Sequence, residues 1–230
     1  MRKVVLLGTI VNAVAVILAG IVGAFIGKRL PKRICDTVMH GMALCIIFIG
    51  IDGALSGENT LIAIISIAAG AVIGELIDLD KWLNRFGDFI QKKLTKGSSD
   101  SFGEGFVTAT LLICVGAWAI TGAMDAGLRG EHTSFYAKAM VDAVACCIMA
   151  TTLGVGVALS GVMLFVYQGA LALASTLVQP YLTTTVVNEL TSVGSLLIIA
   201  IGLNMLGLTK IKVVNLLPAV FIPILLCQFM

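Results

Sequence analysis

Apolar residues fill this chain in long runs separated by short polar stretches, at 4–27, 35–55, 60–77, 105–122, 138–154, 158–178, 189–207 and 213–229. A helix of about 20 residues crosses the roughly 30 Å hydrocarbon core of a bilayer. The runs therefore predict an all-α integral membrane protein with about eight transmembrane helices. The count falls to seven if the last run, short and carrying Pro218 and Pro223, enters the bilayer only in part. The first run exceeds the apolar core of a signal peptide, and Lys28, Arg29, Lys32 and Arg33 follow where a cleavage site would stand, so it is expected to remain as a span. One of its faces carries Gly8, Asn12, Ala19, Gly23 and Gly27, a small-residue stripe that suits close helix contact or a homodimer.

Two central runs carry polar residues at helical spacing. Thr110, Cys114, Trp118, Thr121 and Asp125 share one face of the first, and Lys138, Asp142, Cys146, Met149, Thr152 and Gly156 one face of the second. Gln168 sits at the middle of the next run, on a face with Ser160, Leu164 and Ser175. Hydrocarbon satisfies no hydrogen bond, so these groups should face protein, water or solute. Asn12, Thr110, Cys114, Thr121, Asp125, Asp142, Thr152 and Gln168 are the candidate pathway residues.

Between the third and fourth runs the chain turns polar. Leu79, Trp82, Phe86, Phe89 and Ile90 line one helical face, with Lys81, Arg85, Lys92, Lys93 and Lys96 around it, before the Gly-Ser stretch 97–101. The pattern suits a helix in the headgroup region. With the N-terminus outside, eleven of the fifteen Lys and Arg fall in cytoplasmic loops, which fits the positive-inside rule and makes the stretch 80–104 cytoplasmic.

A shift of 152 residues lays the second run on the seventh, where Leu44, Ile46, Ile47, Ile49 and Gly50 meet identical Leu196, Ile198, Ile199, Ile201 and Gly202, and Asp52 meets Asn204. Two spans separate the copies, so the second begins on the opposite side of the membrane. The expected architecture is two inverted three-helix repeats, 4–79 and 158–229, flanking a central helical hairpin at 105–156. Asp52 and Asn204 become candidate gate or hinge residues.

Gly8-Thr-Ile-Val-Asn12, Leu30-Pro31, Leu111-Leu-Ile-Cys-Val-Gly116, Gly127-Leu-Arg-Gly130, Tyr167-Gln-Gly169, Gly202-Leu-Asn204 and Asn215-Leu-Leu-Pro218 resemble the bacterial membrane family named for domain of unknown function 554. The likeness spans nearly the whole chain. It implies a bacterial inner-membrane protein, a transporter or channel, without a substrate.

Composition narrows the function classes. With 59% hydrophobic and 12% charged residues and a mean hydropathy of +1.06, the chain cannot coat a soluble surface. A net charge of +2 gives no nucleic-acid footprint. Cys35, Cys45, Cys114, Cys146, Cys147 and Cys227 lie in or beside apolar runs without metal-ligand spacing, and His40 and His132 stand alone, so neither metal nor cofactor is expected. No nucleophile stands with a base at any recognisable spacing, which argues against an enzyme. Transport of a small solute or ion is the leading expectation, with a membrane scaffold or regulatory subunit as the alternative. Lipid is the one partner the composition requires.

Overall fold

The protein is described here from a computed structural model covering residues 5–81, 85, 101–114 and 117–229, and every regular element among them is helical. In order these are α1 (Leu7–Gly27), α2 (Lys32–Ala54), α3 (Thr60–Ile77), α4 (Ser101–Cys114), α5 (Ala117–Met124), a π-turn (Asp125–Arg129), α6 (Thr133–Leu153), α7 (Gly156–Leu173), α8 (Ser175–Val178), α9 (Thr184–Met205), a 3-10 segment (Val213–Phe221) and α10 (Pro223–Leu226). Local chemistry sets the boundaries. Pro31 precedes α2, the Asn59 side chain accepts from Leu61 N to cap α3, and Thr183 caps α9 by accepting from Val186 N. Gly154 ends α6 at a φ of 74°, the left-handed backbone that lets α7 fold straight back.

Six of these helices are long and apolar enough to cross a bilayer, and α4 with α5 makes a seventh span if the bent pair counts as one. Exposed Leu18, Phe25, Phe48, Leu76 and Val144 give the bundle a lipid-like outer surface. The eighth run forms a shorter apolar segment, Val213–Leu226. Pro218 cannot donate to an α-helical ladder, and the nine residues Val213–Phe221 take the 3-10 form, rising about 2.0 Å per residue against about 1.5 Å in an α-helix.

Three other boundaries depart from the sequence pattern. The fourth span starts at Ser101, inside the stretch read as linker, and α4 and α5 meet at 59°. Glu189 lies inside α9 and not at its mouth, because Thr183 starts that helix earlier. Helix α7 ends at Leu173, which moves Gln168 from mid-span toward the helix end. Most of the amphipathic stretch, including Trp82, Phe86, Phe89 and Ile90, lies outside the described residues.

Glycine governs how the helices meet. A Cβ on Gly8 would stand 2.9 Å from Phe135 Cβ, and Cβ atoms on Gly23 and Gly27 would run into the carbonyls of Cys147 and Thr151, so α1 and α6 run parallel in backbone contact. The small-residue stripe of α1 is thus spent inside one chain. Gly20 against Ala158, and Gly161 against Ala13 and Ile17, set α7 antiparallel to α1. On the other side of the bundle α2 lies antiparallel to α9. A Cβ at Gly50 would sit 2.6 Å from Ile199 Cγ1 and 3.0 Å from Ser195 O, and one at Gly202 would meet Ile47 Cγ1 and sit 3.0 Å from Ala43 O. Gly70 and Gly74 meet Ala219 and Asn215, which makes the 3-10 segment antiparallel to α3.

Filling the α1–α6 seam should break it. Gly23→Val is expected to cost about 1–3 kcal/mol or more, as overpacking does, and to lower the melting temperature in detergent. Gly41→Ala, where a Cβ meets nothing within 4 Å, should not lower it.

Candidate functional site in the α1–α6–α7 unit

The close parallel approach of α1 to α6 brings Asn12 onto Asp142. Lys138 and Asp142 stand one turn apart on α6, with Lys138 Nζ 2.8 Å from Oδ1 and 2.7 Å from Oδ2, and both side chains are 8% exposed. Asn12 Nδ2 donates to Asp142 Oδ2 at 3.1 Å. An unpaired charge here would be costly, and the three groups largely satisfy one another. Asn12 Oδ1 has no partner among the described residues.

Other buried groups extend the polar file along the same three helices. Thr9, one turn before Asn12, is fully buried, and its hydroxyl has no partner among the described residues. Ala158 lies against Gly20, Gly161 against Ala13, and a Cβ on Gly169 would be 3.6 Å from Leu6 Cδ2, so the antiparallel register puts Gln168 level with Thr9. Gln168 is 0% exposed, and neither its Oε1 nor its Nε2 has a partner among the described residues. His132 stands immediately before α6 at the same end, with no side-chain capping bond. Its Nδ1 would be 3.1 Å from a Cβ on Gly8, and both ring nitrogens are buried without partners among the described residues. A buried amide or hydroxyl left this way costs on the order of 1–3 kcal/mol. Among the described residues, unpartnered buried groups outside this α1–α6–α7 unit are found at Ser66, Thr110 and Glu189.

Cys114 packs in one buried cluster with Cys146, Met149 and Ala13 and lies within electrostatic reach of Lys138 and Asp142, whereas the remaining sequence-derived candidates go elsewhere. Thr110 and Cys114 line a cavity of ≈ 290 Å³ with Tyr167, Leu190, Thr191 and Leu217, and the Thr110 hydroxyl has no partner among the described residues. Its walls are mostly aliphatic and aromatic. The 59° angle between α4 and α5 ends the single face expected from Thr110 to Asp125. Past the bend, Trp118 and Thr121 are exposed, and Asp125 pairs with Arg129 at 3.5 Å in the π-turn. Thr152 is half-buried and donates to Met149 O at 2.9 Å in its own helix. Asp52 is exposed, whereas Asn204 organises the turn after α9, its Oδ1 accepting from Thr209 Oγ1 at 2.6 Å and Ile211 N at 3.0 Å.

Sequence reasoning gave Thr9, His132 and Glu189 no role. Thr9 carried a signal in its step of three from Asn12, but a threonine in an apolar helix usually bonds its own backbone. Among the described residues no group of three or more His, Cys, Asp or Glu side chains is placed to hold a metal.

Residues 7–228 match the family described as Protein of unknown function (DUF554). The chain belongs to that family. It is 32% identical over 220 residues to the Uncharacterized membrane protein YdfK of Bacillus subtilis (strain 168), covering 94% of this chain and 93% of that one. It is 31% identical over 220 residues to the Uncharacterized protein YqgA of Escherichia coli (strain K12), covering 94% of each. No solved structure matches it. Family membership and the membrane-spanning helices make it a multi-pass membrane protein related to bacterial ones.

The buried ion pair sets a stability expectation. Lys138→Met strands a carboxylate and should cost about 3–5 kcal/mol, whereas Lys138→Met with Asp142→Leu should recover much of that loss. Thermal unfolding of the two variants in the same detergent measures the difference.

Proposed function

We propose that this protein moves a small solute or ion across the bacterial inner membrane, by alternating access between two inverted three-helix repeats, and is not an enzyme. The observation that carries the reading is the file of buried polar groups in α1, α6 and α7. There Lys138, Asp142 and Asn12 satisfy one another while Gln168, Thr9 and His132 keep buried atoms unpartnered. Polar groups kept inside a membrane bundle at such cost favour a solute or ion path over packing. Lys138 and Asp142 neutralise each other, so neither is free to bind a charged solute by a salt bridge. A cation, a proton-coupled cargo or a neutral polar cargo suits the site.

The α2–α9 contact supports the repeat. Shifting by 152 carries Ala43, Ile47 and Gly50 onto Ser195, Ile199 and Gly202. Gly50 packs on Ile199 and the Ser195 carbonyl, and Gly202 packs on Ile47 and the Ala43 carbonyl. Equivalent residues thus exchange the same contacts, as a twofold axis in the membrane plane requires. Relative helix directions also suit strict alternation, with α1 parallel to α6 and antiparallel to α7. Contacts of Gly27 with Thr151, and of Lys212 with Glu75, gather Lys28, Arg29, Lys32, Lys81, Lys210 and Lys212 at one end, which the positive-inside rule assigns to the cytoplasm.

Flux into liposomes holding the purified chain alone, followed with proton-, sodium- and potassium-sensitive dyes and with light scattering for neutral osmolytes, tests the reading. Wild-type protein should conduct, Gln168→Leu should abolish flux with the fold intact, and Asp142→Asn should remove dependence on a proton or cation gradient if Asp142 is a carrier, but only lower stability if it is the structural partner of Lys138. No flux above empty liposomes, or normal flux in Gln168→Leu, would favour the scaffold, in which Asn12 and Asp142 only join α1 to α6. For orientation, Lys210→Cys should react with an impermeant maleimide only after cells are opened, and Thr185→Cys in intact cells.

A further inference from the structure

The 59° angle between α4 and α5 and the 3-10 form of Val213–Phe221 leave room between the elements beside them. The cavity of ≈ 290 Å³ lies there, walled by α4, α5, α7, α9, the 3-10 segment and α10. Leu111, Met163, Leu190, Leu217 and Phe221 are typical of its wall, and among the described residues no charged side chain lines it. Such a wall does not suit ordered water, which needs two to four polar partners. Left empty, it forfeits dispersion contacts on every face. An apolar occupant fits it, and a largely apolar pocket with a few polar groups is the usual form of a small-molecule site.

The way in lies from the bilayer. Met163, at the middle of α7, is 41% exposed, and Phe221, in the apolar segment Val213–Leu226, is 59% exposed. Both stand where the neighbour is hydrocarbon, so a molecule that reaches the cavity past them is lipid-soluble. With no charged side chain to meet it, that molecule is also neutral, since an unpaired ion would be costly there.

Polar groups on the wall refine the chemistry. Thr191 Oγ1 donates to Val187 O at 2.7 Å in its own helix. Tyr167, half-buried, makes no hydrogen bond to another described residue, and the Thr110 hydroxyl makes none either. Tyr167 lies within electrostatic reach of Cys114, so phenol and thiol share one stretch of wall. A buried tyrosine hydroxyl usually finds a partner. A plain acyl chain would leave this one without any, whereas a hydroxyl or carbonyl oxygen would accept from it. The polar file is a different place: Gln168, next to Tyr167 but about 100° round the helix, does not line the cavity.

We propose that this cavity binds a neutral, lipid-soluble molecule with an apolar body and one terminal hydroxyl or carbonyl oxygen, anchored by the Tyr167 hydroxyl. The oxygen accepts from Tyr167, and the apolar body lies along Leu190, Leu217 and Phe221. Entry is sideways from the bilayer, past Met163 and Phe221. The site stands whether or not the protein transports a solute.

A photoreactive analogue of 1-decanol with an aliphatic diazirine in its chain tests it, on the full chain in phosphatidylcholine nanodiscs with labelled residues mapped by mass spectrometry. Labelling should saturate and concentrate on the lining residues of α4, α7 and α9. At equal concentrations in the bilayer, unlabelled 1-decanol should compete about threefold to tenfold better than decane, the worth of one hydrogen bond. Tyr167→Phe should remove that advantage while leaving decane unchanged, and Leu190→Trp, which fills the cavity, should end saturable labelling. Unsaturable labelling spread over the outer surface, or an advantage that survives in Tyr167→Phe, would overturn the proposal. So would decane competing as well as 1-decanol in the wild type, which would make the occupant an ordinary acyl chain of the bilayer. If Leu190→Trp does not fold, the decane comparison and Tyr167→Phe still decide. Because binding is read without flux, this site and the transport reading fail separately.

Discussion

Helices in lipid gain little from burying apolar side chains against one another, because the acyl chains they displace are equally apolar. What holds this bundle is backbone approach at glycine. Gly23 and Gly27 lay α1 on the carbonyls of α6, Gly50 and Gly202 seat α2 against α9, and Gly70 and Gly74 admit the 3-10 segment against α3. Each seam replaces side-chain volume with dispersion contact over a long stretch of main chain.

The polar file is a consequence of those seams. Only because α1 approaches α6 so closely does Asn12 reach Asp142, and only because Gly161 and Gly20 admit α7 does Gln168 stand level with Thr9. A bulkier residue on α1 would move the amide of Asn12 away and leave the Lys138–Asp142 pair with one donor fewer. Packing and candidate chemistry therefore share the same residues.

The other half of the molecule uses its polar groups differently. Around Glu189 and Asn204 side chains hold turns and backbone amides, and at the α3 terminus Glu75 binds Lys212 and Asn215 at 2.8 and 2.6 Å. The hydrogen bond that Lys212 donates to Glu75 holds its ammonium above the usual lysine range. Glu189 and Glu75 connect elements across the halves, Asn204 bonds within its own turn, and Glu189 Oε2, like the amide of Gln168, has no partner among the described residues.

Hydrophobic run length was enough to establish the all-helical membrane class and to place the six long helices, since crossing hydrocarbon demands an uninterrupted internal hydrogen-bond ladder. The i, i+4 step from Lys138 to Asp142 and the buried face through Ser160, Leu164 and Gln168 were also legible, because helical periodicity fixes which side chains share a face. Periodicity could not reveal the 59° angle that takes Thr121 and Asp125 off the line through Thr110 and Cys114, nor the 3-10 form at Pro218. It could not join Asn12 to Asp142 or Glu189 to the turn at Glu58 and Asn59 either, since each pair is about 130 residues apart in the chain. Those meetings depend on helix direction and depth of approach, which arise when two glycine faces dock and are written in neither face alone.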